Sequence, residues 1–242
     1  MKSKRITIIQ HHRHSKNLYK MDSTEFREKI RAKPRLVFRE YDFLFRWDSF
    51  KRTAEHVCPG FVIDDNNRKL YEEACRYFAA DETCSWDLNK GLYLYGDVGV
   101  GKTLFFKIFH HLMGAPGINS INKFSILTVN DIVDGYSVQG PAYWIKSGIN
   151  SVPGGYYAKP IHIFIDDIGQ NARSASYFGN SIDVISELIQ RRYYAHTDSY
   201  VLTHASSNID PSKFKPTFGE FTSSRMREMF NVILFQGKDR RK

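Results

Sequence analysis

From residue 61 onward, two hydrophobic periods alternate along the chain. Short apolar runs bounded by glycine or polar residues predict buried strands, and apolar residues three or four positions apart predict amphipathic helices. The predicted strands are 91–96, 124–129, 160–166, 199–206 and 231–236. The predicted helices are 64–81, 103–113, 181–196 and 218–230. Strands separated by helices predict an α/β fold, with a five-stranded parallel sheet covered by helices on both faces.

The first 57 residues follow a different pattern. Residues 22–33 predict a short charged helix that Pro34 ends, and residues 35–50 interleave aromatic side chains with arginine. The sequence therefore predicts a basic N-terminal extension at residues 1–57, which contacts DNA or a partner, and one α/β domain at residues 58–242.

The net charge of +9 is concentrated in that extension. Residues 1–57 contain 15 Lys and Arg against 7 Asp and Glu, whereas residues 58–242 contain 20 against 19. A basic arm of this kind can bind phosphate backbones by releasing counterions, or it can be a solvated leader. Charge alone leaves both interpretations open.

Several classes of protein are not favoured by the composition. No apolar run approaches the roughly 18 residues that a membrane-spanning helix needs, and the N-terminus is too charged for a secretory signal. The three cysteines (Cys58, Cys75, Cys84) form no C-x-x-C pair. A reduced, cytoplasmic setting without a membrane partner is expected.

The sequence GDVGVGKT at residues 96–103 matches G-x-x-x-x-G-K-[ST] at every fixed position. Its glycines let the backbone wrap a phosphate chain, so that N–H groups point at the phosphate oxygens. Lys102 can reach the β- and γ-phosphates, Thr103 can ligate magnesium, and the following helix adds its positive dipole end. This strand–loop–helix context predicts a nucleoside triphosphate site. The residues predicted to contact the nucleotide are Gly96, Asp97, Val98, Gly99, Val100, Gly101, Lys102, Thr103 and Leu104.

The sequence IFIDDIG at residues 163–169 has two interpretations. A GTPase would use Asp166 for magnesium and Gly169 for the terminal phosphate, whereas an ATPase would use Asp167 to position the attacking water. A GTPase also needs N-K-x-D on a later strand, and the nearest similar sequence, at 89–92, precedes the phosphate loop. ATP and Mg²⁺ are therefore the predicted cofactors. Asp166 is the predicted metal ligand, and Asp167 is either the general base or a plain turn aspartate.

Two further observations favour an ATPase. The predicted strand 124–129 lies between the phosphate loop and the acids, as in ATPases with an additional strand. The fourth strand ends in THASSNID, where a polar side chain can sense the γ-phosphate. Asn208 is the first candidate and Ser207 the second. The alternative is that Asn208 caps a short helix at residues 210–214.

GDVGVGKT, IFIDDIG, a helix ending ELIQRRY, a strand ending SSN and the late SSRMREMFNVILFQGKDRR follow one another in this chain. In this order, over about residues 61–242, the sequence resembles AAA+ ATPases of the DnaC/IstB type, which are helicase loaders and transposition helpers. The resemblance implies ATP hydrolysis at low to moderate turnover, stimulated by DNA or a partner. It also implies homo-oligomers with ATP at subunit interfaces. Because only residues 237–242 follow the last predicted strand, we expect an AAA+ core without the C-terminal helical lid.

The same resemblance implies roles for arginines near the C-terminus. Arg225 would be the arginine finger that reaches the ATP site of a neighbouring subunit, and Arg227 is its nearest competitor. A guanidinium group stabilises the charge that develops on the γ-phosphoryl oxygens. A surface arginine is the plain alternative. Arg240 or Arg241 would be the sensor-II arginine, and the spacing does not choose between them.

The resemblance further implies a grip on single-stranded DNA and a client protein, either a replicative helicase or a transposase. Residues 136–159 interleave aromatic rings with lysine, a combination suited to base stacking and phosphate contact. The candidate DNA contacts are Tyr143, Trp144, Lys146, Tyr156, Tyr157 and Lys159. Alternatively, these rings pack their own loop. A helicase loader in DNA replication is the leading hypothesis, and an IstB-like transposition helper or a superfamily 3-type DNA helicase are the alternatives.

Overall fold

A computed structural model describes residues 47–115, 122–146, 161–169, 173–237 and 239. The helices are α1 (Trp47–Val57), α2 (Arg68–Phe78), α3 (Lys102–Gly114), α4 (Val129–Gln139), α5 (Ala142–Lys146), α6 (Val184–Ser199), α7 (Phe214–Phe218) and α8 (Glu220–Met229). The strands are β1 (Gly91–Tyr95), β2 (Phe124–Thr128), β3 (His162–Asp166), β4 (Ser174–Tyr177), β5 (Asn180–Asp183), β6 (Thr203–Ser207) and β7 (Phe230–Leu234). Within these ranges, no helix has the length and apolar character needed to cross a membrane.

The main sheet has the strand order β2-β3-β6-β1-β7, and every neighbouring pair is parallel. The predicted five-stranded parallel sheet is therefore confirmed. Strand 124–129 lies between the phosphate loop and the acids only along the sequence, because it forms the edge strand β2. In the sheet, the strand that lies between β1 and β3 is β6. Since all five carboxyl ends meet at one edge, the segments that follow β1, β3 and β6 are brought together there.

Alternating side chains of the sheet supply two separate cores. Leu92 and Leu94 of β1 and Phe164 of β3 face α1, α2 and α3. Tyr93 and Ile165, on the other face, pack with side chains of α4 to α8. Helices therefore cover both faces, as predicted, and the helix after the phosphate loop lies on the opposite face from α8.

Helix α1 belongs to the first core. Phe50 and Ala54 are fully buried, and the Phe50 ring stacks on Phe109 with centroids 5.4 Å apart and lies 4.9 Å from the Tyr71 ring. The predicted division between residues 57 and 58 thus falls at the end of a helix that packs on the domain. The predicted helix at residues 22–33 lies outside the described residues.

The structure contains elements that the hydrophobic pattern did not predict. Helix α4 starts with a capping box, in which Thr128 Oγ1 accepts a hydrogen bond from the Asp131 N–H and the Asp131 carboxylate accepts one from the Thr128 N–H. Strands β4 and β5 form a hairpin whose turn residues, Phe178 and Gly179, both have positive φ. The predicted helix 181–196 begins only at Val184, because residues 180–183 are strand β5.

Candidate nucleotide-binding and hydrolysis site

The loop between β1 and α3 is shaped by glycines in left-handed conformations. Gly99 has φ 85° and Gly101 has φ 107°, values that favour glycine. A Cβ atom at Gly96 would lie 2.3 Å from the Phe235 carbonyl oxygen, so the loop also passes too close to the end of β7 for a side chain. Gly101 caps α3, whose 13 residues leave N–H groups available to an anion at this end.

The ammonium group of Lys102 lies inside the curve of the loop. Its Nζ donates hydrogen bonds to the carbonyl oxygens of Gly96 (2.8 Å) and Asp97 (2.7 Å). The positive charge is therefore held beside the loop amides and the N-terminus of α3. Phosphate oxygens placed in this loop would meet both kinds of donor.

Three side chains from three elements meet next to the loop. The Thr103 hydroxyl, at the start of α3, donates to Asp166 Oδ1 at 2.8 Å, and the Ser206 hydroxyl, on β6, donates to the same oxygen at 2.6 Å. Thr103 and Asp166 are oxygen donors of the kind that Mg²⁺ prefers, and they lie together where the triphosphate is predicted. The pair therefore fits a magnesium ion that completes its ligands with water and phosphate oxygens.

Ser206 is a site residue that the sequence did not single out. Besides donating to Asp166, its Oγ accepts a hydrogen bond from the Asp167 N–H at 2.8 Å. One hydroxyl thus fixes the carboxylate of the first acid and the backbone of the second, which has a positive φ of 55°. Strand alternation is the feature of the sequence that separates Ser206 from Ser207, although it does not show that β6 lies beside β3. Ser206 points to the α3 side of the sheet, as Asp166 does, whereas Ser207 points to the other side.

The turn after β3 packs against the end of β6. A Cβ atom at Gly169 would lie 2.4 Å from Asn208 Oδ1 and 2.7 Å from Ser207 Oγ, so any larger residue here would displace these side chains. The Asn208 side chain is therefore beside the turn that carries Asp167. Asp210 caps the following 3₁₀ turn by accepting from the Ser212 N–H, so Asn208 is not the cap.

Ser207, the second candidate for the γ-phosphate sensor, is fully buried. Its Oγ accepts a hydrogen bond from the Ile209 N–H at 3.0 Å. The Tyr93 hydroxyl donates to the Ile209 carbonyl oxygen at 2.8 Å, and burial raises the pKa of Tyr93. Ser207 thus contributes to the packing below the strand end, and Asn208 is the more accessible of the two candidates.

We expect Ser206→Ala to lower kcat for ATP hydrolysis about tenfold with little change in ATP affinity. The substitution leaves Asp166 Oδ1 with the Thr103 hydroxyl but without the Ser206 hydroxyl, and it removes the acceptor of the Asp167 N–H. The loss also costs roughly 1–3 kcal/mol of folding stability. Steady-state ATPase assays and urea unfolding measure the two effects. Ser207→Ala, which removes a buried hydroxyl from the same strand, is the matched control. Equal losses of kcat in both variants would contradict the assigned role of Ser206.

The two candidate finger residues differ in their surroundings. Arg225 is half-buried on α8, and its guanidinium lies 5.3 Å from the centre of the Tyr193 ring and 5.4 Å from that of Tyr194. Arg227 is exposed, and its carbonyl oxygen accepts a hydrogen bond from Lys90 Nζ at 3.5 Å. Arg225 thus has side-chain contacts with two rings of its own subunit, and it lies on a helix that packs on the sheet face opposite α3.

The candidate sensor-II residues, Arg240 and Arg241, lie outside the described residues. Asp239, one residue earlier, is described, and its carboxylate lies against the phosphate loop. A Cβ atom at Gly99 would be 2.1 Å from Asp239 Oδ1. An acidic group here would repel phosphates bound in the loop.

We therefore expect Asp239→Asn to strengthen ATP binding, because the change removes a negative charge beside the phosphates without changing the size of the side chain. Two unit charges about 4 Å apart interact by about 1 kcal/mol in water, so a roughly fivefold fall in Kd is expected at low salt. Titration with a fluorescent ATP analogue measures it. Asp65→Asn, an exposed acid outside the loop, is the control, and weaker binding by Asp239→Asn would contradict the expectation.

The predicted DNA contacts fall into two groups. Tyr143 and Trp144 are 8% and 1% exposed and pack in the second core, where the Trp144 ring lies 5.5 Å from that of Tyr136. A Cβ atom at Gly135 would clash with the Tyr143 ring at 2.2 Å. Contrary to the prediction, these two rings are core residues and are not available to stack on bases. The side chain of Lys146 and all of Tyr156, Tyr157 and Lys159 lie outside the described residues.

Comparisons with known proteins support the fold. No protein-family model matches the chain, and no curated protein matches it. The crystal structure of DnaI aligns at 21% identity with a TM-score of 0.50, covering 76% of this chain and 89% of DnaI. A protein from Streptococcus pyogenes serotype M3, described as a candidate primosome component, aligns at 18% identity with a TM-score of 0.52, covering 78% of this chain and 91% of that one. At these identities the likeness concerns the fold alone, and the predicted P-loop α/β fold with its five-stranded parallel sheet is confirmed.

Proposed function

We propose that the protein is a Mg²⁺-dependent AAA+ ATPase that acts on DNA as a loader of a replicative helicase. The observation that carries the ATPase part is the meeting of Thr103, Asp166 and Ser206 beside the phosphate loop. A glycine-rich turn without a ligand-binding role does not need a hydroxyl and a strand-end carboxylate in contact where the following helix begins. An ATP–magnesium site requires that arrangement.

Each residue of the site has a proposed role in hydrolysis. The loop amides and Lys102 bind the phosphates, and Thr103 and Asp166 hold magnesium, which neutralises phosphate charge when it is bound. Asp167 orients the attacking water or accepts its proton, and Asn208 holds that water from the β6 side. Arg225 of a neighbouring subunit stabilises the charge that develops on the γ-phosphoryl oxygens.

The replication part of the proposal has separate support. The two structures reported above are DnaI and a candidate primosome component, and they share the fold over about nine-tenths of their length. The basic N-terminal extension offers charge for a nucleic-acid backbone. We propose single-stranded DNA and a replicative helicase as partners, with the protein assembling as a homo-oligomer whose ATP sites lie between subunits.

An ATPase assay with three DNA conditions tests the proposal. We expect slow turnover alone, severalfold stimulation by single-stranded DNA, and less by a duplex of equal nucleotide content. A strand-displacement assay with the protein alone should show no unwinding. Robust unwinding without a partner would favour a superfamily 3-type helicase, and a preference for duplex DNA would favour a transposition helper. Absence of ATP hydrolysis in every condition would overturn the proposal.

The N-terminal extension should govern the salt dependence of DNA binding. Deleting residues 1–35 removes basic side chains but leaves α1, which is part of the domain core, in place. Each phosphate contact that is lost should lower the slope of log K against log salt by about 0.7 on single strands. Fluorescence anisotropy across a salt series measures the slope. An unchanged slope would mean that the extension does not contact DNA.

A further inference from the structure

Two adjacent tyrosines of α6 surround the guanidinium group of Arg225. The group lies 5.3 Å from the Tyr193 ring centre and 5.4 Å from the Tyr194 ring centre, both within reach of a cation–π interaction. The two rings are inclined at 74° to each other, with centroids 6.1 Å apart. The Arg225 guanidinium also donates a long hydrogen bond of 3.4 Å to the Tyr194 hydroxyl. The arginine is therefore held by two ring faces, and within the described part of the chain no carboxylate forms an ion pair with it.

The two tyrosines are anchored differently. The Tyr193 hydroxyl donates to Glu228 Oε2 at 2.8 Å, and its ring packs against the second core. Tyr193 is therefore held in place on the inner side of Arg225. Tyr194 is 58% exposed and lies on the solvent side of Arg225. Phe221, which is 78% exposed, lies one turn before Arg225 on α8. A half-buried cation bordered by exposed aromatic rings has the composition of a protein-contact surface.

We propose that Tyr194 is a positioning residue, which presents Arg225 to the ATP site of a second copy of this chain. The inference rests on the proposed function, in which Arg225 acts in trans. A free arginine side chain loses rotamer entropy when it is fixed in one position, and stacking on Tyr193 and Tyr194 removes part of that cost before subunits meet. A ring, unlike a carboxylate, orients the guanidinium without neutralising the charge that the γ-phosphate requires. A neighbouring subunit that covers Tyr194 also strengthens the stacking, because cation–π attraction grows on desolvation.

Separate kinetic constants distinguish this role from a structural one. Tyr194→Ala should lower kcat about tenfold while KM for ATP stays within about twofold, because the nucleotide is bound by the loop of its own subunit. Tyr194→Phe keeps the ring and should retain most of the activity. Phe178→Ala, which removes an 88% exposed ring from the β4–β5 turn, is the matched control and should leave both constants unchanged.

Mixing experiments test whether Tyr194 acts through the finger in trans. Lys102→Ala subunits bind no ATP but carry intact Tyr194 and Arg225, so adding them to Tyr194→Ala subunits should restore turnover towards the wild-type rate. The reference mixture is Lys102→Ala with Arg225→Ala. If the reference mixture shows no rescue, the trans finger fails, and this inference fails with it. If the reference mixture is rescued, three results would overturn the positioning role alone. These are a normal kcat in Tyr194→Ala, a fall in its kcat together with a rise in its KM for ATP, or no rescue of Tyr194→Ala by Lys102→Ala subunits.

Discussion

Lys102→Ala is expected to abolish measurable ATP binding while leaving the fold intact. In the structure the Lys102 ammonium is held by two loop carbonyl oxygens, so it already lies where phosphate oxygens would bind. Losing two charge-assisted hydrogen bonds costs roughly 3 kcal/mol or more, which weakens binding at least about 100-fold. Isothermal titration with ATP and Mg²⁺ measures the loss directly.

Lys107→Ala provides the control for that experiment. Lys107 lies on α3 as well, but it is exposed to solvent, and its removal changes the net charge by the same amount. Its ATP affinity should stay within about twofold of wild type. If Lys102→Ala kept a Kd within threefold of wild type, the loop would not be a triphosphate site and the proposed function would fail.

Arg225→Ala is expected to lower kcat by about 10³-fold and to change ATP affinity little. An arginine supplied in trans typically contributes 10³- to 10⁵-fold to phosphoryl transfer, because it meets charge that develops only in the transition state. Single-turnover hydrolysis and nucleotide titration separate the two quantities. The ATP affinity should change little, because Arg225 packs on α6 of its own subunit and does not contact the phosphate loop of that subunit.

Arg227→Ala is the appropriate comparison, since it removes the same charge two residues away. We expect its kcat to stay within about twofold, because Arg227 is exposed and is not stacked between the two tyrosines. A large loss in Arg227→Ala with normal turnover in Arg225→Ala would exchange the two assignments. Normal turnover in both variants would remove the arginine finger from the proposal.

The phosphate loop and its acid could be predicted from sequence because both depend on local rules. Glycines at fixed spacing specify the loop, and an apolar run that ends in Asp166 specifies a buried strand with a carboxylate at its end. Lys102, Thr103 and Asp166 accordingly lie together in the structure. Four of the five strands of the main sheet were predicted for the same reason, since each is a short apolar run. Strand β6 has the sequence THASS, and the apolar residues of its predicted run, Val201 and Leu202, lie just before it.

Ser206 could not be found in this way because its role depends on the spatial order of the strands. It contacts Asp166 only because β6 inserts between β1 and β3, and the sequence distance between the two residues is 40. Spacing along the chain carries no information about that insertion. The neighbouring Ser207 and Asn208 have equally polar side chains, so composition did not distinguish them.

Aromatic residues gave the least reliable predictions. Trp144 and Tyr143 lie in a Gly- and Pro-rich stretch, yet they are buried because α4 and α5 fold them into the second core. Phe50, in a segment assigned to a basic extension, is fully buried for the same kind of reason. An aromatic ring suits a core, an interface and a nucleic acid equally well, and only the fold decides among these.

The path of the chain after β7 determines where the protein can be labelled. The Phe235 carbonyl lies against Gly96, the Phe235 ring lies near Gly101, and Asp239 lies over Gly99, so these last described residues run along the phosphate loop. A fluorophore attached to one of these residues would stand beside the phosphate loop and would disturb nucleotide binding. The exposed turn at Phe178 and Gly179 lies next to the second core, on the opposite side of the sheet from α3. A probe attached there would leave the phosphate loop uncovered.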